Sequence, residues 1–384
     1  MGRRWRGFEQ SLIAFVVATT SVVAVGCAAA NDSSASPLRE RVQGAVDEFL
    51  DTHAIPGASV AVITGGRLVS VVSGFADLEQ QQPIRVDDEF RLASITKTYI
   101  AALAVTLDDD GVVALDQPIG RWLSASPAGL DIRRVTLRQL LSHTSGLRQT
   151  ATDDDDRGRL LTFADVMTRI PAAVCAPGQC WNYADGNYVI AALVLATATG
   201  MLPVEEMHDR FFEPLGLTRT HFVGERDAAP LPSYTLEVDP TTFEPVQPPR
   251  LRPQRLPIVT DSRAASISAS ASDAARWADA LFNGDLVAGP ALGRMLDASA
   301  MRHLPCPAGC PLEYGLGVFH YEFGVDPANY DFVGHDGSSG TIVATDAERG
   351  LTIAVLTNGG EQHIADLFEA VLAATDDGDP AHPT

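Results

Sequence analysis

The dipeptide Gly65-Gly66 limits this chain's fold more than any other feature. It separates two runs rich in β-branched residues, Ala58 to Ile63 and Leu68 to Val72, and glycines accept the positive φ values that a two-residue hairpin loop demands. The start of the chain is thereby committed to an antiparallel sheet. Ahead of the hairpin, Leu38, Val42, Val46 and Leu50 recur every fourth residue, so Leu38 to His53 reads as an amphipathic helix. The far end is strand-rich as well. Leu316 to Phe319, Thr341 to Thr345 and Leu351 to Thr357 read as strands before a last helix, Ile364 to Ala374, and Thr375 to Thr384 reads as a frayed tail.

Chemistry points to the stretch Arg91 to Ile100. The chain has 28 lysines and arginines, and Lys97 is its only lysine. A guanidinium keeps its proton, whereas an amine can release one, so the single amine is a candidate for proton chemistry. Ser94 lies three residues earlier, at the start of an apolar run from Ile95 to Leu107 that reads as a helix. Residues three apart share a helix face, so the hydroxyl and the amine can meet. The helix start offers the Ser94 N–H to a substrate oxygen, and its dipole disfavours a charged Lys97. To be neutral at pH 7, the amine must move from its reference of about 10.4 by roughly three units, about 4 kcal/mol, and burial works in that direction.

A formal net charge of −21 makes nucleic acid and anionic membrane surfaces poor partners. Residues 1–26 read as an export signal, with arginines first and then an apolar stretch, Leu12 to Val25, that is short for a membrane span. Ala24-Val25-Gly26-Cys27 resembles the lipobox of bacterial lipoproteins, so a lipid on Cys27 and plain cleavage near Ala28 to Ala30 both stay open. Residues 27–37 read as a flexible leader. The other cysteines form two close sets in a chain expected to be exported, which argues for disulfides over a zinc site. Both sets lie on loops leading into site motifs. Pairing within each is expected, Cys175 with Cys180 and Cys306 with Cys310.

Downstream stands Val135-Thr136-Leu137-Arg138-Gln139-Leu140-Leu141-Ser142-His143-Thr144-Ser145-Gly146-Leu147. Together with Ser94-x-x-Lys97, it resembles the family of class C β-lactamases, D-alanyl-D-alanine carboxypeptidases and related esterases. Further matches follow in the family's order. They are Pro177-Gly178, Tyr183-Ala184-Asp185 with Tyr188, Pro214-Leu215-Gly216-Leu217, Ser272-Asp273, Tyr314-Gly315-Leu316-Gly317, Gly334-His335-Asp336-Gly337 and Asn358. The resemblance spans residues 38–375. It implies an α+β fold, an antiparallel sheet built from both chain ends and flanked by helices, with a mostly helical insert over about 108–265. Within the insert, Pro230 to Pro257 holds eight prolines and reads as a long irregular excursion.

The resemblance also implies roles. Ser94 attacks, Tyr183 lies opposite Lys97 as base or proton shuttle, and the amine and the phenol remain alternatives for taking the proton. His335 relays a proton through Tyr183 or polarises the substrate. The second oxyanion donor is the Ser338 N–H, and Gly337 lets its strand approach a ligand closely. No cofactor or metal is called for. His143 and Ser145 read as capping and packing a turn, since nothing completes a triad around them. Asp153 to Asp156 lack the alternation and glycine of a calcium loop and read as a solvated acidic loop.

Two substrate-binding positions depart from the family. Asp185 stands where asparagine is usual, and an ionised carboxylate cannot donate to a substrate's acylamide carbonyl. Asp336 replaces the threonine or serine that helps hold a substrate carboxylate, and no arginine follows Tyr314-Gly315-Leu316-Gly317. These changes favour a neutral ester or amide as the small-molecule or peptide substrate. The rivals are a D-alanyl-D-alanine carboxypeptidase or β-lactamase, and a binding or sensing module in which Asp185 locks Lys97 into an ion pair. Lys97→Arg is expected to leave the fold intact and to cost more than ten-fold in kcat/KM, a barrier change above about 1.4 kcal/mol, because arginine keeps the charge but cannot shed it. Steady-state kinetics on the folded variant check this.

Overall fold

The computed structural model describes residues 37–124, 131–149, 160–161, 173–223, 230–236, 250–254, 258–259, 266–284, 286–287, 289–305, 313–325, 328–360 and 363–376. The export signal, Cys27, Asp153 to Asp156 and the pair Cys306 and Cys310 lie outside the described residues. Helix α1 (Pro37–Thr52) covers the expected first helix and buries Val42 and Val46. Strands β1 (Gly57–Thr64) and β2 (Arg67–Asp77) then pair antiparallel, with Thr64 opposite Arg67. The loop between them is Gly65-Gly66, at φ 55° and 72°. Strand β3 (Gln82–Pro83) closes that edge.

A small sheet comes next. Its strands β4 (Phe90–Arg91) and β5 (Thr220–Phe222) flank the central β6 (Ile267–Ala269). The end of the chain adds β7 (Glu313–Tyr314), β8 (Phe319–Val325), β9 (Ala328–Gly337), β10 (Thr341–Asp346) and β11 (Leu351–Thr357). The main sheet has eight strands in the order β7-β8-β9-β10-β11-β1-β2-β3. Both chain ends therefore build one antiparallel sheet, joined where β1 pairs with β11, Val60 opposite Val355. The fold is α+β.

Period-two alternation sends β1 side chains into two cores. Val60 and Val62 join Val42, Val46 and the residues Phe368 and Leu372 of the last helix. Ala61 and Ile63 join the second core, which holds helix α2 (Thr96–Asp109). Helices thus cover both faces of β1, and its residues Gly57 to Ile63 are all buried. Helix α2 is enclosed on nearly every side, with every residue from Thr96 to Val105 buried, as befits a helix at the centre of a domain. Besides helix α3 (Leu137–Leu141), helix α4 (Asp185–Thr199) and helix α5 (Ala271–Phe282) carry residues that share this core. Tyr99 of α2 stacks on Trp277 of α5 with ring centroids 3.8 Å apart, and Trp277 Nε1 donates to Thr98 Oγ1 at 2.9 Å.

The expected strand over Leu316 to Phe319 begins only at Phe319. Gly317 takes φ 74°, and a Cβ there would lie 2.7 Å from the Lys97 carbonyl oxygen. The segment before β8 is thus a bend pressed against α2, a use of glycine that apolar periodicity does not reveal. The last helix, α6 (Ile364–Thr375), matches its expected range and takes in Thr375. Cys175 and Cys180 are disulfide-bonded, with Cα atoms 6.2 Å apart. Trp277→Ala is expected to cost ~3–5 kcal/mol, because it removes a fully buried ring from the α2 contact. Denaturant unfolding of the purified variant measures it.

Candidate active site

Strand β4 delivers the chain to Ser94. Arg91 of β4 lies opposite Ser268 of β6, and the Leu92 N–H donates to the Ile267 carbonyl at 2.9 Å. Ala93 then takes φ 46°, a left-handed value that costs a non-glycine residue of order 1–3 kcal/mol and is held only where surrounding contacts impose it. A 3-10 turn, Ala93–Ile95, leads into α2. Ser94 therefore sits in the turn just ahead of the helix, and Lys97 in the helix's first turn. Lys97 Nζ donates to Ser94 Oγ at 2.9 Å, so spacing of three does bring amine and hydroxyl together.

Lys97 is 6% exposed, and Nζ also donates to Asp185 Oδ1 at 2.7 Å. Its ionisation runs against the expectation of a neutral amine. Burial does oppose the charge, but the adjacent Asp185 carboxylate and the Tyr183 oxygen outweigh it, and the Lys97 pKa is raised. Asp185 shows the reciprocal effect. Desolvation would push its pKa up, yet the Lys97 ammonium and hydrogen bonds from Lys97 and Gln149 bring it down to about 2. The resting site thus holds an ammonium and a carboxylate in contact.

Asp185 opens α4, and the loop before it is braced from several sides. Cys175–Cys180 closes a short loop, the Trp181 N–H donates to the Pro305 carbonyl at 3.0 Å, and the Asn182 N–H donates to the His143 carbonyl at 2.9 Å. His143 is fully buried, and its Nδ1 accepts from the Ala184 N–H at 3.2 Å and from Asn187 Nδ2 at 3.0 Å. Ser145 Oγ donates to Asn187 Oδ1 at 2.5 Å. His143 and Ser145 pack the turn that aims Tyr183. The Lys97 ammonium stands 4.8 Å from the Tyr183 ring centroid. Burial raises the Tyr183 pKa, an effect that Lys97 partly offsets.

Gln149 gave no signal in the sequence, and its importance emerges only here. Its Nε2 donates to Asp185 Oδ2 at 2.8 Å while its Oε1 accepts the Asp185 N–H at 2.8 Å. One side-chain amide thus grips the carboxylate at both main chain and side chain. No spacing rule marks an exposed glutamine 36 residues from its partner.

Strand β9 brings the remaining residues. His335 is 1% exposed. Its Nδ1 meets the Asp336 carbonyl oxygen at 2.6 Å, so the proton is on Nδ1 and Nε2 accepts from the Tyr314 hydroxyl at 3.3 Å. Burial, reinforced by Lys97, lowers its pKa to about 4, so the imidazole is neutral near pH 7. Its ring centroid is 6.3 Å from that of Tyr183. The side-chain hydroxyl that His335 meets is that of Tyr314.

Asp336 is half-buried, and its Oδ1 accepts the Tyr321 hydroxyl at 2.7 Å. A Cβ on Gly337 would run into the Leu92 carbonyl oxygen and Thr341 Oγ1, so glycine is what lets β9 lie against the Ser94 turn. Ser339 Oγ donates to the Arg91 carbonyl and Thr341 Oγ1 to the Leu92 carbonyl, tying the two segments together. Ser338 is exposed in the turn that follows β9. No group of three or more histidine, cysteine or acidic side chains among the described residues is arranged to hold a metal.

A family model described as Beta-lactamase matches residues 42–375. Penicillin-binding protein 4 of Amycolatopsis lactamdurans is 28% identical over 344 residues, covering 85% of this chain and 87% of that protein. Esterase EstB of Burkholderia gladioli is 32% identical over 218 residues, which cover 51% of this chain and 55% of the esterase. The crystal structure of D-amino acid amidase from Ochrobactrum anthropi SV3 complexed with D-phenylalanine superposes with a TM-score of 0.74 at 25% identity, covering 88% of this chain and 99% of the amidase.

A nucleophile that must lose its proton next to a stabilised ammonium should work best in alkali. Lys97 and Tyr183 both have raised pKa values, so the form with one proton fewer accumulates only as pH climbs, and the pair titrates as a unit. The kcat/KM of the wild type is therefore expected to be still rising at about pH 9. Asp185→Asn removes the charge that holds the proton, so its rise should move to lower pH, with at least about a ten-fold gain over wild type at pH 7. A pH–rate profile of both proteins on one neutral ester decides this, and coincident profiles would refute the coupling.

Proposed function

The chain belongs to the beta-lactamase family, whose members include serine hydrolases, and on that premise we propose an exported enzyme that cleaves an ester or amide lacking a carboxylate near the scissile bond through an acyl-enzyme on Ser94. The observation that carries the reading is the 2.9 Å contact between Lys97 Nζ and Ser94 Oγ. In this mechanism the Lys97–Tyr183 pair, once it has lost a proton, receives the Ser94 proton as Oγ attacks the carbonyl carbon. The N–H groups of Ser94 and Ser338 receive the developing oxyanion. Tyr183, whose ring centroid lies 4.8 Å from the Lys97 ammonium, hands the proton to the leaving group. Water repeats the sequence to release the acid. His335 works through Tyr314 by keeping an acceptor beside that hydroxyl.

Charge supports the choice of substrate. The family's carboxypeptidases and β-lactamases handle anionic substrates, whereas here two acids, Asp185 and Asp336, line the positions that would meet one. Each repels a carboxylate by about 1 kcal/mol at 4 Å in water, and by more where water is excluded. Beyond the Tyr314 motif, Val318 and Phe319 are buried apolar residues where an arginine would be needed. Residues 1–26 carry the proposal of export, and Cys27 that of a lipid anchor.

A second reading has its own observation. The 2.7 Å ion pair between Lys97 and Asp185 suits a module that binds acyl donors and turns them over slowly. Time-resolved labelling with a fluorescent fluorophosphonate and a fluorescent penicillin separates the readings. The hydrolase is expected to take the fluorophosphonate at Ser94 within minutes and the penicillin at least ten-fold more slowly, with peptide mass spectrometry locating the adduct and Ser94→Ala abolishing it. Faster penicillin labelling returns the carboxypeptidase, and no adduct with either probe returns the binding module.

A further inference from the structure

The hydrogen-bond polarity at Asp185 is the reverse of what an N-acylated substrate needs. In relatives with asparagine at this position, the side-chain amide donates to the carbonyl of an acyl group on the nitrogen borne by the carbon next to the scissile carbonyl. Asp185 can only accept. With its pKa at about 2, it stays a carboxylate throughout the working range. An acylamide carbonyl brought against it would set oxygen against oxygen. A nitrogen without an acyl group is a donor, and when protonated it is a charge-assisted one.

The geometry leaves room for such a donor. The Asp185 side chain is 55% exposed, whereas that of Lys97 is 7% exposed. Lys97 occupies one position at Oδ1 and Gln149 one at Oδ2, while an ionised carboxylate accepts about four hydrogen bonds. The Gln149 clamp on both the N–H and Oδ2 holds the carboxylate so that its remaining lone pairs are not free to turn away. Among the described residues, Lys97 is the only cation paired with Asp185.

We propose that the acyl donor carries a free ammonium on the carbon next to the scissile carbonyl, as in an amino acid amide, an amino acid ester or the unblocked amino end of a short peptide, and that Asp185, oriented by Gln149, receives this ammonium. The inference rests on the reading of Ser94 as nucleophile and names the substrate class of that same site. Asp185 is then the specificity-determining residue, and Gln149 is a positioning residue that acts through it.

The test compares substrates that differ only at that nitrogen. Phenylalanine p-nitroanilide and N-acetylphenylalanine p-nitroanilide, each as both enantiomers, are assayed with wild type, Asp185→Asn and Gln149→Ala. Ratios are taken within each protein, so any general change in the Lys97 proton cancels. Wild type is expected to favour the free amine by at least ten-fold in kcat/KM, Asp185→Asn to reverse the order, and Gln149→Ala to lower the ratio without reversing it. A wild-type preference for the N-acetyl substrate overturns the proposal, and so does a ratio that changes less than threefold in Asp185→Asn.

A binding arm keeps the question separate from turnover. Ser94→Ala is titrated calorimetrically with phenylalanine amide and with N-acetylphenylalanine amide at about pH 6.5, where the α-amine is protonated. At least ten-fold tighter binding of the free amine, lost in Ser94→Ala combined with Asp185→Asn, supports the proposal, and equal binding overturns it. Activity that survives Ser94→Ala would defeat the acyl-enzyme reading alone, since the binding comparison does not depend on turnover.

Discussion

One ion pair organises the site. An ammonium that is 6% exposed would be costly without a counter-charge, and Asp185 supplies it at 2.7 Å. Everything else in the site is arranged around that nitrogen. Ser94 Oγ accepts a hydrogen bond from it, and the rings of Tyr183 and Tyr188 lie 4.8 and 5.6 Å away. The contact that makes burial tolerable also makes the proton harder to remove. Stability of the resting state and reactivity of the nucleophile therefore pull against each other through a single carboxylate.

The scaffold keeps that nitrogen in place. Helix α2 is buried on almost every side, so Lys97 cannot swing out to solvent without disturbing the core. Ahead of it, the turn through Ala93 is pinned by β6 on one side and by the β9 to β10 segment on the other, through Ile267, Ser339 and Thr341. These ties come from segments far apart in the chain, with 248 positions separating Ser339 from Arg91. The left-handed Ala93 is the kind of local cost that such a framework can hold.

Much of this framework was readable in the chain. Gly65-Gly66 specified a two-residue hairpin because only glycine adopts its φ values freely, and apolar spacing marked α1, α2 and α6 because each buries one face or more. The contact of Ser94 with Lys97 followed from helical periodicity alone. The bend through Gly317 escaped the strand reading, since what decides it is the Lys97 carbonyl packed against it.

By itself, then, the sequence determined the first hairpin, the apolar helices and the meeting of hydroxyl and amine three positions apart, because these depend on neighbours along the chain, while the α+β fold was implied by the family resemblance. Only the tertiary structure decided the charge on Lys97, the partner of His335 and the role of Gln149. Lys97 and Asp185 stand 88 positions apart, and a proton's affinity is set by the charges and the lost water that surround a group in space. The sequence names the titratable groups, and the folded structure sets the distances between them.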